Sequence, residues 1–319
     1  MHCERVLPLA GSGFWCRSTA RPTMAQVMTG PYERGTMTHR TDGAASLTCS
    51  ANTLRHADLR TRVAAAAAAG FTGVGLRVPD FAESGLEPGA IRDVLDGHQM
   101  LTLEVEYTWD WALPEVDPIE DVVFAFARTV GFRHLVVPMF YPHDRVDIVR
   151  GFGQLCDRAQ AFGIEVGFEF LPYSHVRTLG QAWSIVEAAQ RINGGVVLDL
   201  WHWFRSGSTF AQLAQVPVEK ITSLQLCDVA AAPHADQTEE ARHYRMLPGL
   251  GAGATAAILT ELARRGYGGP VSVEVFSDLL DTYTPTAAAE LAYVAGVDVL
   301  QGAGIEPAPW RTNLHQPSR

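Results

Sequence analysis

The sequence is poor in cysteine, in clustered positive charge and in long apolar runs. Its five cysteines are widely spaced in 319 residues and form no C-x-x-C pair. Neither a disulfide framework nor a zinc knuckle is therefore predicted, and a reducing, cytoplasmic setting is expected. The formal net charge is −10 without any run of Lys and Arg, which argues against nucleic acid as a partner. No apolar stretch approaches the roughly 20 residues that span a bilayer, so no membrane partner is expected.

The two ends of the chain differ from its middle. Residues 1–44 mix Arg, Thr, Gly and Pro without periodicity, and Pro8, Gly11 and Gly13 interrupt the apolar segment that a secretory leader would need. We expect a disordered or poorly ordered N-terminal extension there. Residues 303–319 are predicted to be a loose C-terminal tail. The folded catalytic domain is predicted to occupy residues 45–302.

Within that domain, short apolar runs alternate with Ala-rich helical patterns. Eight strands are predicted, each followed by a helix, and they lie at 46–50, 73–76, 101–106, 134–138, 164–169, 196–199, 221–226 and 271–275. No G-x-G-x-x-G follows the first strand, which counts against a dinucleotide-binding fold. Eight strand-then-helix units in one run predict an α/β protein with a single domain, a (β/α)8 TIM barrel.

Oxygen-bearing side chains stand near the ends of four predicted strands. They are Glu169, Asp199, Gln225 and Glu274. A charged group where a buried strand leaves the core is costly unless it binds something, and barrel enzymes place their chemistry at this end. Three converging carboxylates would also repel one another without a cation between them. The four residues are therefore predicted to bind one divalent ion, Mn²⁺ or Mg²⁺ with Co²⁺ as an alternative, because hard oxygen ligands suit these ions better than zinc.

Five motifs near the later strand ends resemble those of a known family, the sugar phosphate isomerase/epimerase superfamily with xylose isomerase-like barrels. The resemblance covers about residues 46–300. The motifs are E-F-L-P at 169–172, D-L-W-H at 199–202, Q-L-C-D at 225–228, R-M-L-P-G-L-G at 245–251 and G-P-V-S-V-E-V-F at 269–276. Together they indicate the superfamily, and they say little about the substrate.

The resemblance implies roles for particular side chains. In ketose 3-epimerases of this family two metal-bound glutamates face opposite sides of the substrate, and the matching residues are Glu169 and Glu274. By the same resemblance His202 and Arg245 contact substrate. The implied activity is an isomerase or epimerase acting on a sugar or polyol-derived hydroxy-carbonyl compound. One glutamate would remove the proton next to the carbonyl, a metal-stabilised enediolate would form, and the other glutamate would return a proton.

Two departures from the family pattern leave other reactions open. Gln225 stands where the epimerases have a metal-binding His, although some family dehydratases use Gln there. Leu171 stands where dehydroshikimate dehydratases usually carry a His. If a β-hydroxyl leaves after the first proton transfer, the enzyme would be a dehydratase of a cyclic keto-polyol, of the inosose or dehydroshikimate type. A third alternative is the barrel subunit of a partner-dependent lyase.

Another branch of the superfamily, the endonuclease IV type, is disfavoured. It needs a trinuclear zinc site rich in His and a basic DNA-binding face, and neither is visible in this sequence. The expected partner is a small sugar or polyol, and association of the chain with itself as a homo-oligomer is left open.

Further candidates for substrate binding are Glu106, Arg205 and Trp109. Glu106 ends the third strand, where it could bind a substrate hydroxyl. Arg205 could bind a phosphate or carboxylate through both guanidinium nitrogens, or it could pair with a surface acid. Trp109 could form a flat wall against a sugar, although packing at the rim is the commoner role. Arg245 lies in a long segment after the seventh strand, of the kind that often forms a lid.

Overall fold

The computed structural model describes residues 44–82 and 84–307, all within one compact unit. Eight parallel strands close into a barrel in chain order, which confirms the predicted TIM barrel. The predicted N-terminal extension, apart from its last residue, lies outside the described residues, as do residues 308–319 of the predicted tail. The first residues of that tail are ordered, since Glu306–Pro307 pairs in parallel with Ala44–Ala45 and Ile305 is buried.

The strands are short, and most of their residues are buried. Their bounds are β1 Leu47–Cys49, β2 Gly73–Arg77, β3 Leu101–Glu106, β4 His134–Pro138, β5 Glu165–Glu169, β6 Gly194–Asp199, β7 Ile221–Leu226 and β8 Val271–Val273. Such nearly continuous apolar runs are typical of parallel strands covered on both faces.

The helices surround the barrel and also occupy two of its loops. Their bounds are α1 Leu59–Ala69, α2 Val78–Ala82, α3 Pro88–Gly97, α4 Ile119–Val130, α5 Arg145–Gln160, α6 Leu179–Ala189, α7 Leu200–Ser206, α8 Phe210–Gln215, α9 Gln237–His243, α10 Thr255–Arg264 and α11 Pro285–Gly302. Helix α1 shows how local sequence sets such bounds. The Asp58 side chain accepts a hydrogen bond from the Thr61 N–H at its start, and Gly70 ends it in the left-handed conformation.

Aromatic side chains fill much of the space between the barrel and its helices. Trp111, Phe152 and Phe168 meet edge to face, with ring centroids of Trp111 and Phe168 5.4 Å apart at 85°. Each such pair adds about 0.5–1.5 kcal/mol beyond the burial of its area. This packing supports β5, the strand that ends in Glu169.

The strand register brings the polar strand ends to one mouth of the barrel. Arg77 at the end of β2 is opposite Glu106 at the end of β3, and Asp199 at the end of β6 is opposite Gln225 in β7. Because all eight strands are parallel, these side chains and those that follow β1, β5 and β8 lie at the carboxyl-terminal face. The fold therefore brings the polar strand-end side chains to one face, as the predicted metal site requires.

Three local features differ from the expectations. Residues 200–206 form α7 directly after β6, and α9 lies in the segment that was expected to be a long loop before Arg245. Strand β8 ends at Val273, although the Glu274 N–H still donates to the Leu226 carbonyl at 2.9 Å.

Among residues 44–82 and 84–307, no helix is both long enough and apolar enough to cross a bilayer.

Candidate active site

A cavity of about 320 Å³ opens at the carboxyl-terminal mouth of the barrel. Its charged and polar walls include Glu106, Glu169, Glu274, Arg77, Arg242, Arg245, His202 and Asn52. Its flat walls are formed by Tyr107, Phe140, Tyr173 and Phe276. The volume is at the lower end of the range for ligand pockets, which fits a small substrate.

Asp199 links the end of β6 to the start of α7. It is the N-cap of that helix, and its Oδ1 accepts a hydrogen bond of 2.9 Å from the His202 N–H. This single turn directs the His202 ring back over the strand ends. His202 Nε2 lies 3.3 Å from Glu169 Oε1 and 3.7 Å from Asp199 Oδ2. One ligand atom from each of these three buried residues lies within 4.8 Å of the others.

A second group shares Glu169 with the first. Carboxylate oxygens of Glu106, Glu169 and Glu274 also lie within 4.8 Å of one another. Asn52 donates its amide to both Glu106 and Glu274 Oε1, the latter at 3.0 Å. Ser50 donates to the same Glu274 oxygen at 2.9 Å. These contacts from the segment after β1 hold the carboxylates at their positions.

Arg245 is a buried side chain inside the site. Its Nη1 lies 2.7 Å from Asp199 Oδ2 and 3.3 Å from Glu274 Oε2, and the guanidinium lies 4.8 Å from the centre of the Phe276 ring. Helix α9 creates this position, because Arg245 Nε donates to the Ala241 carbonyl at 2.9 Å. Its backbone N–H also donates to the Phe276 carbonyl. The expected lid segment is thus packed against the strand ends.

Burial and mutual repulsion shift the pKa values of the carboxyl groups. Burial, assisted by the charges of Glu169 and Glu104, raises the pKa of Glu106 to about 8. Burial and the charge of Glu274 raise the pKa of Glu104 to about 7. Burial and the nearby Glu106 also hold the pKa of Glu274 well above its usual range. The chain alone therefore carries more acidic groups here than its own cations neutralise.

Asp199 is the exception among these carboxyl groups. Burial alone would raise its pKa, but the charges of Arg245 and His202 outweigh that effect and hold the pKa below the usual value. Contacts within this chain therefore keep the Asp199 carboxylate ionised.

Gln225 supplies an independent test of whether a metal fits. Its side chain is fully buried, and its Oε1 has no hydrogen-bond partner among the described residues. Its Nε2 lies 3.4 Å from Glu106 Oε1. A buried acceptor without a partner costs about 1–3 kcal/mol, so an amide oxygen beside a carboxylate cluster suits a cation ligand. The donor set therefore fits a divalent ion, and the neighbouring His202 adds an imidazole nitrogen that the oxygen-only expectation did not include.

Two predicted substrate-binding residues do not line the cavity. The Arg205 guanidinium pairs with buried Glu240, with Nε 2.7 Å from Oε1, and also donates to the Ala230 carbonyl at 2.9 Å. The Trp109 indole N–H donates to Glu120 at 3.2 Å, and the ring is buried. Their polar groups are engaged with other parts of the protein, so the structure does not bring them together with the carboxylates.

Sequence reasoning did not select Asn52, Tyr173 or Phe276 for the site. Asn52 follows a strand end that carries no acid, so the pattern of polar strand ends gave no signal for it. Tyr173 and Phe276 follow the β5 and β8 glutamates within four residues, and this proximity to Glu169 and Glu274 was the available signal.

Asp228 orders the Gly-rich segment that follows Arg245. It accepts hydrogen bonds from the backbone N–H groups of Gly249 at 3.1 Å and Gly253 at 2.8 Å. A Cβ at Gly251 or Gly253 would lie 2.6 Å from Asp228 Oδ1, so glycine is required for this close approach. Asp228 therefore supports the wall of the site from behind.

The chain is similar to known proteins in sequence and in fold. Residues 63–302 match the family model described as a xylose isomerase-like TIM barrel. This chain belongs to that family. Over 126 residues it is 37% identical to a 3-dehydroshikimate dehydratase of Pseudomonas aeruginosa, a match that covers 39% of this chain and 20% of the dehydratase. Over 125 residues it is 38% identical to an inosose isomerase of Halalkalibacterium halodurans, covering 39% of this chain and 43% of the isomerase. The matches thus span less than half the length of either relative.

Solved structures share the fold across most of the chain. A crystal structure of the IOLI protein with a bound zinc atom has a TM-score of 0.71 at 22% identity, covering 80% of this chain and 98% of that one. A D-allulose 3-epimerase from Methylomonas sp. in complex with D-allulose has a TM-score of 0.63 at 16% identity, covering 81% and 97%. At these identities the similarity shows the fold alone.

Proposed function

We propose that this protein is a divalent-metal-dependent isomerase or epimerase of a polyol-derived hydroxy-carbonyl compound. The observation that carries the proposal is the pair of overlapping acidic groups at the mouth of the barrel, which contain Glu106, Glu169, Asp199 and Glu274, beside a Gln225 oxygen that has no partner among the described residues. The family membership and the inosose isomerase relative support the reaction class. The expected substrate is small because the cavity that would hold it is small.

Glu169, Asp199, Gln225 and Glu274 are the proposed ligands, and His202 or Glu106 lies close enough to complete the set. A bound divalent ion would supply Lewis acidity, stabilising negative charge that develops on a substrate carbonyl oxygen. Mn²⁺ and Mg²⁺ remain the proposed ions with Co²⁺ as an alternative. Zinc joins the candidates because of the His202 nitrogen and because the IOLI structure holds zinc.

Glu169 and Glu274 are the proposed proton-transfer groups. They approach one point from β5 and from the end of β8, three strands apart around the barrel. Ser50 and Asn52 orient one oxygen of Glu274, and Arg245 contacts the other. A substrate carbon between the two carboxyl groups would lose its proton to one and regain a proton from the other. His202 and Arg245 would orient the substrate oxygens, while Tyr173 and Phe276 limit the access of water.

A dehydratase is the second candidate, favoured by the 37% identity to a 3-dehydroshikimate dehydratase. The same first proton transfer would then be followed by loss of a β-hydroxyl group rather than by return of the proton. Both relatives are named for cyclic polyol ketones, so the proposed substrate is cyclic in either case. The partner-dependent lyase, the homo-oligomer and the cytoplasmic location stay predictions.

The two reactions separate in one set of assays on metal-loaded protein. Metal content is first measured by mass spectrometry, and inososes, ketoses and 3-dehydroshikimate are then incubated in D₂O. An isomerase incorporates deuterium next to the carbonyl, and apart from that deuterium its product has the same mass as the substrate. A dehydratase yields a product that is lighter than the substrate by one water. We expect Glu169→Gln and Glu274→Gln to abolish turnover. Full turnover by either variant with metal bound would refute the two-base scheme.

A further inference from the structure

Three arginines line the cavity, and only one of them is ion-paired with the carboxylate cluster. Arg245 contacts Asp199 and Glu274 directly. Arg242, at the end of α9, lines the cavity and is half-buried, and its guanidinium has no hydrogen-bond or ion-pair partner among residues 44–82 and 84–307. A guanidinium of a cavity-lining residue whose N–H donors have no partner among the described residues can bind an anion.

Arg77 is the second arginine with spare donor capacity. Its Nη2 lies 3.2 Å from Asp80 Oδ1, and its Nη1 lies only within 3.5 Å of the Asn52 amide oxygen. The same Asp80 carboxylate is already bound by both terminal nitrogens of Arg62, at 2.7 and 3.2 Å. One carboxylate therefore serves two guanidinium groups. The Arg62 side chain is buried, whereas Arg77 lines both the cavity and the neighbouring pocket that Asp80 also lines, so the uncompensated positive charge lies at the cavity wall.

The mouth of the barrel carries no net negative charge once a divalent ion is bound. Four carboxylates, those of Glu106, Glu169, Asp199 and Glu274, carry at most four negative charges, and the ion with Arg245 contributes three positive charges. The group of Arg62, Arg77 and Asp80 adds one positive charge, and Arg242 adds another. The sum is one positive charge when all four carboxyl groups are ionised and zero when the buried Glu104 is ionised as well, so the mouth carries no net negative charge that would repel an anion.

From this arrangement we infer that the substrate carries an anionic substituent, a carboxylate or a phosphate, which Arg77 and Arg242 bind while its hydroxy-carbonyl end meets the carboxylate cluster. The placement of the hydroxy-carbonyl end at the carboxylate cluster rests on the proposed function, whereas the binding of an anionic substituent does not. Guanidinium forks bind either anion through paired hydrogen bonds, which are stronger than hydrogen bonds between neutral groups. A neutral sugar would leave the Arg242 guanidinium and the spare donors of Arg77 without an anionic partner.

Binding of unreactive probes tests this without any turnover. Titration calorimetry on the full chain, with Mn²⁺ present, compares shikimate with its methyl ester, which differ in one negative charge. Glucitol 6-phosphate and glucitol, which lack a carbonyl group, form the corresponding phosphate pair. We expect the anionic member of one pair to bind about 10- to 100-fold more tightly than its neutral counterpart. The pair that shows this preference identifies the anion.

Matched variants locate the effect. Arg242→Gln breaks no hydrogen bond or ion pair between side chains among the described residues, so it is expected to fold, and it should remove most of the preference. Arg77→Gln should do the same, whereas Arg242→Lys should retain part of it. Arg92→Gln makes an equal change of charge at the Asp96 pair on helix α3 and should leave binding unchanged.

Two results would overturn the inference. One is equal or absent binding of the charged and neutral members of both pairs, and the other is a preference that persists in both Arg→Gln variants. Deuterium incorporation into a neutral ketose at full efficiency, without any preference for anions, would refute this inference and leave the proposed function intact. Anion preference without turnover on any carbonyl substrate would do the reverse.

Discussion

Arg245 and the metal ion are expected to share the same two carboxylates, and this predicts a measurable coupling between them. In the Arg245→Met variant, Asp199 and Glu274 lose the guanidinium that lies 2.7 and 3.3 Å from them, while the long apolar side chain preserves much of the volume against Phe276. Removing one partner of a buried ion pair costs about 3–5 kcal/mol. In a domain of this size about 1 kcal/mol corresponds to 2–4 °C, so metal-free Tm should fall by about 6–20 °C.

A divalent ion should restore part of that loss. Ligand at 100 times its Kd stabilises a folded protein by about 2.7 kcal/mol, and the gain is larger when the ion also neutralises carboxylates left without a partner. Scanning calorimetry of both proteins in EDTA and in excess Mn²⁺ gives the four Tm values needed. We expect the metal-induced rise in Tm to be larger in Arg245→Met than in the original protein.

Arg205→Met is the matched control. It also breaks a buried arginine–glutamate pair, but its partner Glu240 lies outside the carboxylate cluster. It should lower Tm by a similar amount in EDTA and in Mn²⁺. If the metal-induced rise is the same in the original protein, in Arg245→Met and in Arg205→Met, then Arg245 and the ion do not share carboxylates, and the assignment of Asp199 and Glu274 as ligands fails.

Three further predictions concern the same mouth of the barrel. Gln225→Leu should raise the metal Kd by about tenfold or more, because removing a metal ligand weakens metal binding more than removing a residue that only supports a ligand. Unchanged affinity in equilibrium dialysis would remove Gln225 from the ligand set. In EDTA, stability should fall as pH rises from 4.5 to 7, since the pKa of Glu104 is raised to about 7 and the folded state binds more protons than the unfolded state in that window. The slope, measured by urea unfolding, should reach up to about 1.4 kcal/mol per pH unit for each such group, and a flat profile would contradict the buried acid cluster. Asp228→Ala should lower the free energy of unfolding by at least about 2 kcal/mol, because the Gly249 and Gly253 N–H groups lose their acceptor; an unchanged urea midpoint would contradict that role.

The amino-acid sequence by itself determined the architecture of this protein. Apolar runs of strand length alternate with helical patterns eight times, and parallel strands joined in this way have few ways to cover both faces. The bounds of β3, β4 and β7 coincide with those predicted from the sequence. The acids at the ends of β5 and β6 were visible for the same reason, since a charge beside a buried run stands out in the sequence.

Only the tertiary structure decided which polar side chains meet. Arg205 and Arg245 look alike in the sequence, yet α9 directs Arg245 into the carboxylate cluster, while Arg205 pairs with Glu240. Asn52 carries no signal of its own and becomes part of the site because closure of the barrel places the segment after β1 beside the end of β8. The free donors of Arg242 likewise depend on which partners lie within a few ångströms. Such contacts join residues 35 to 222 positions apart in the chain, and local periodicity contains no information about distances of that kind.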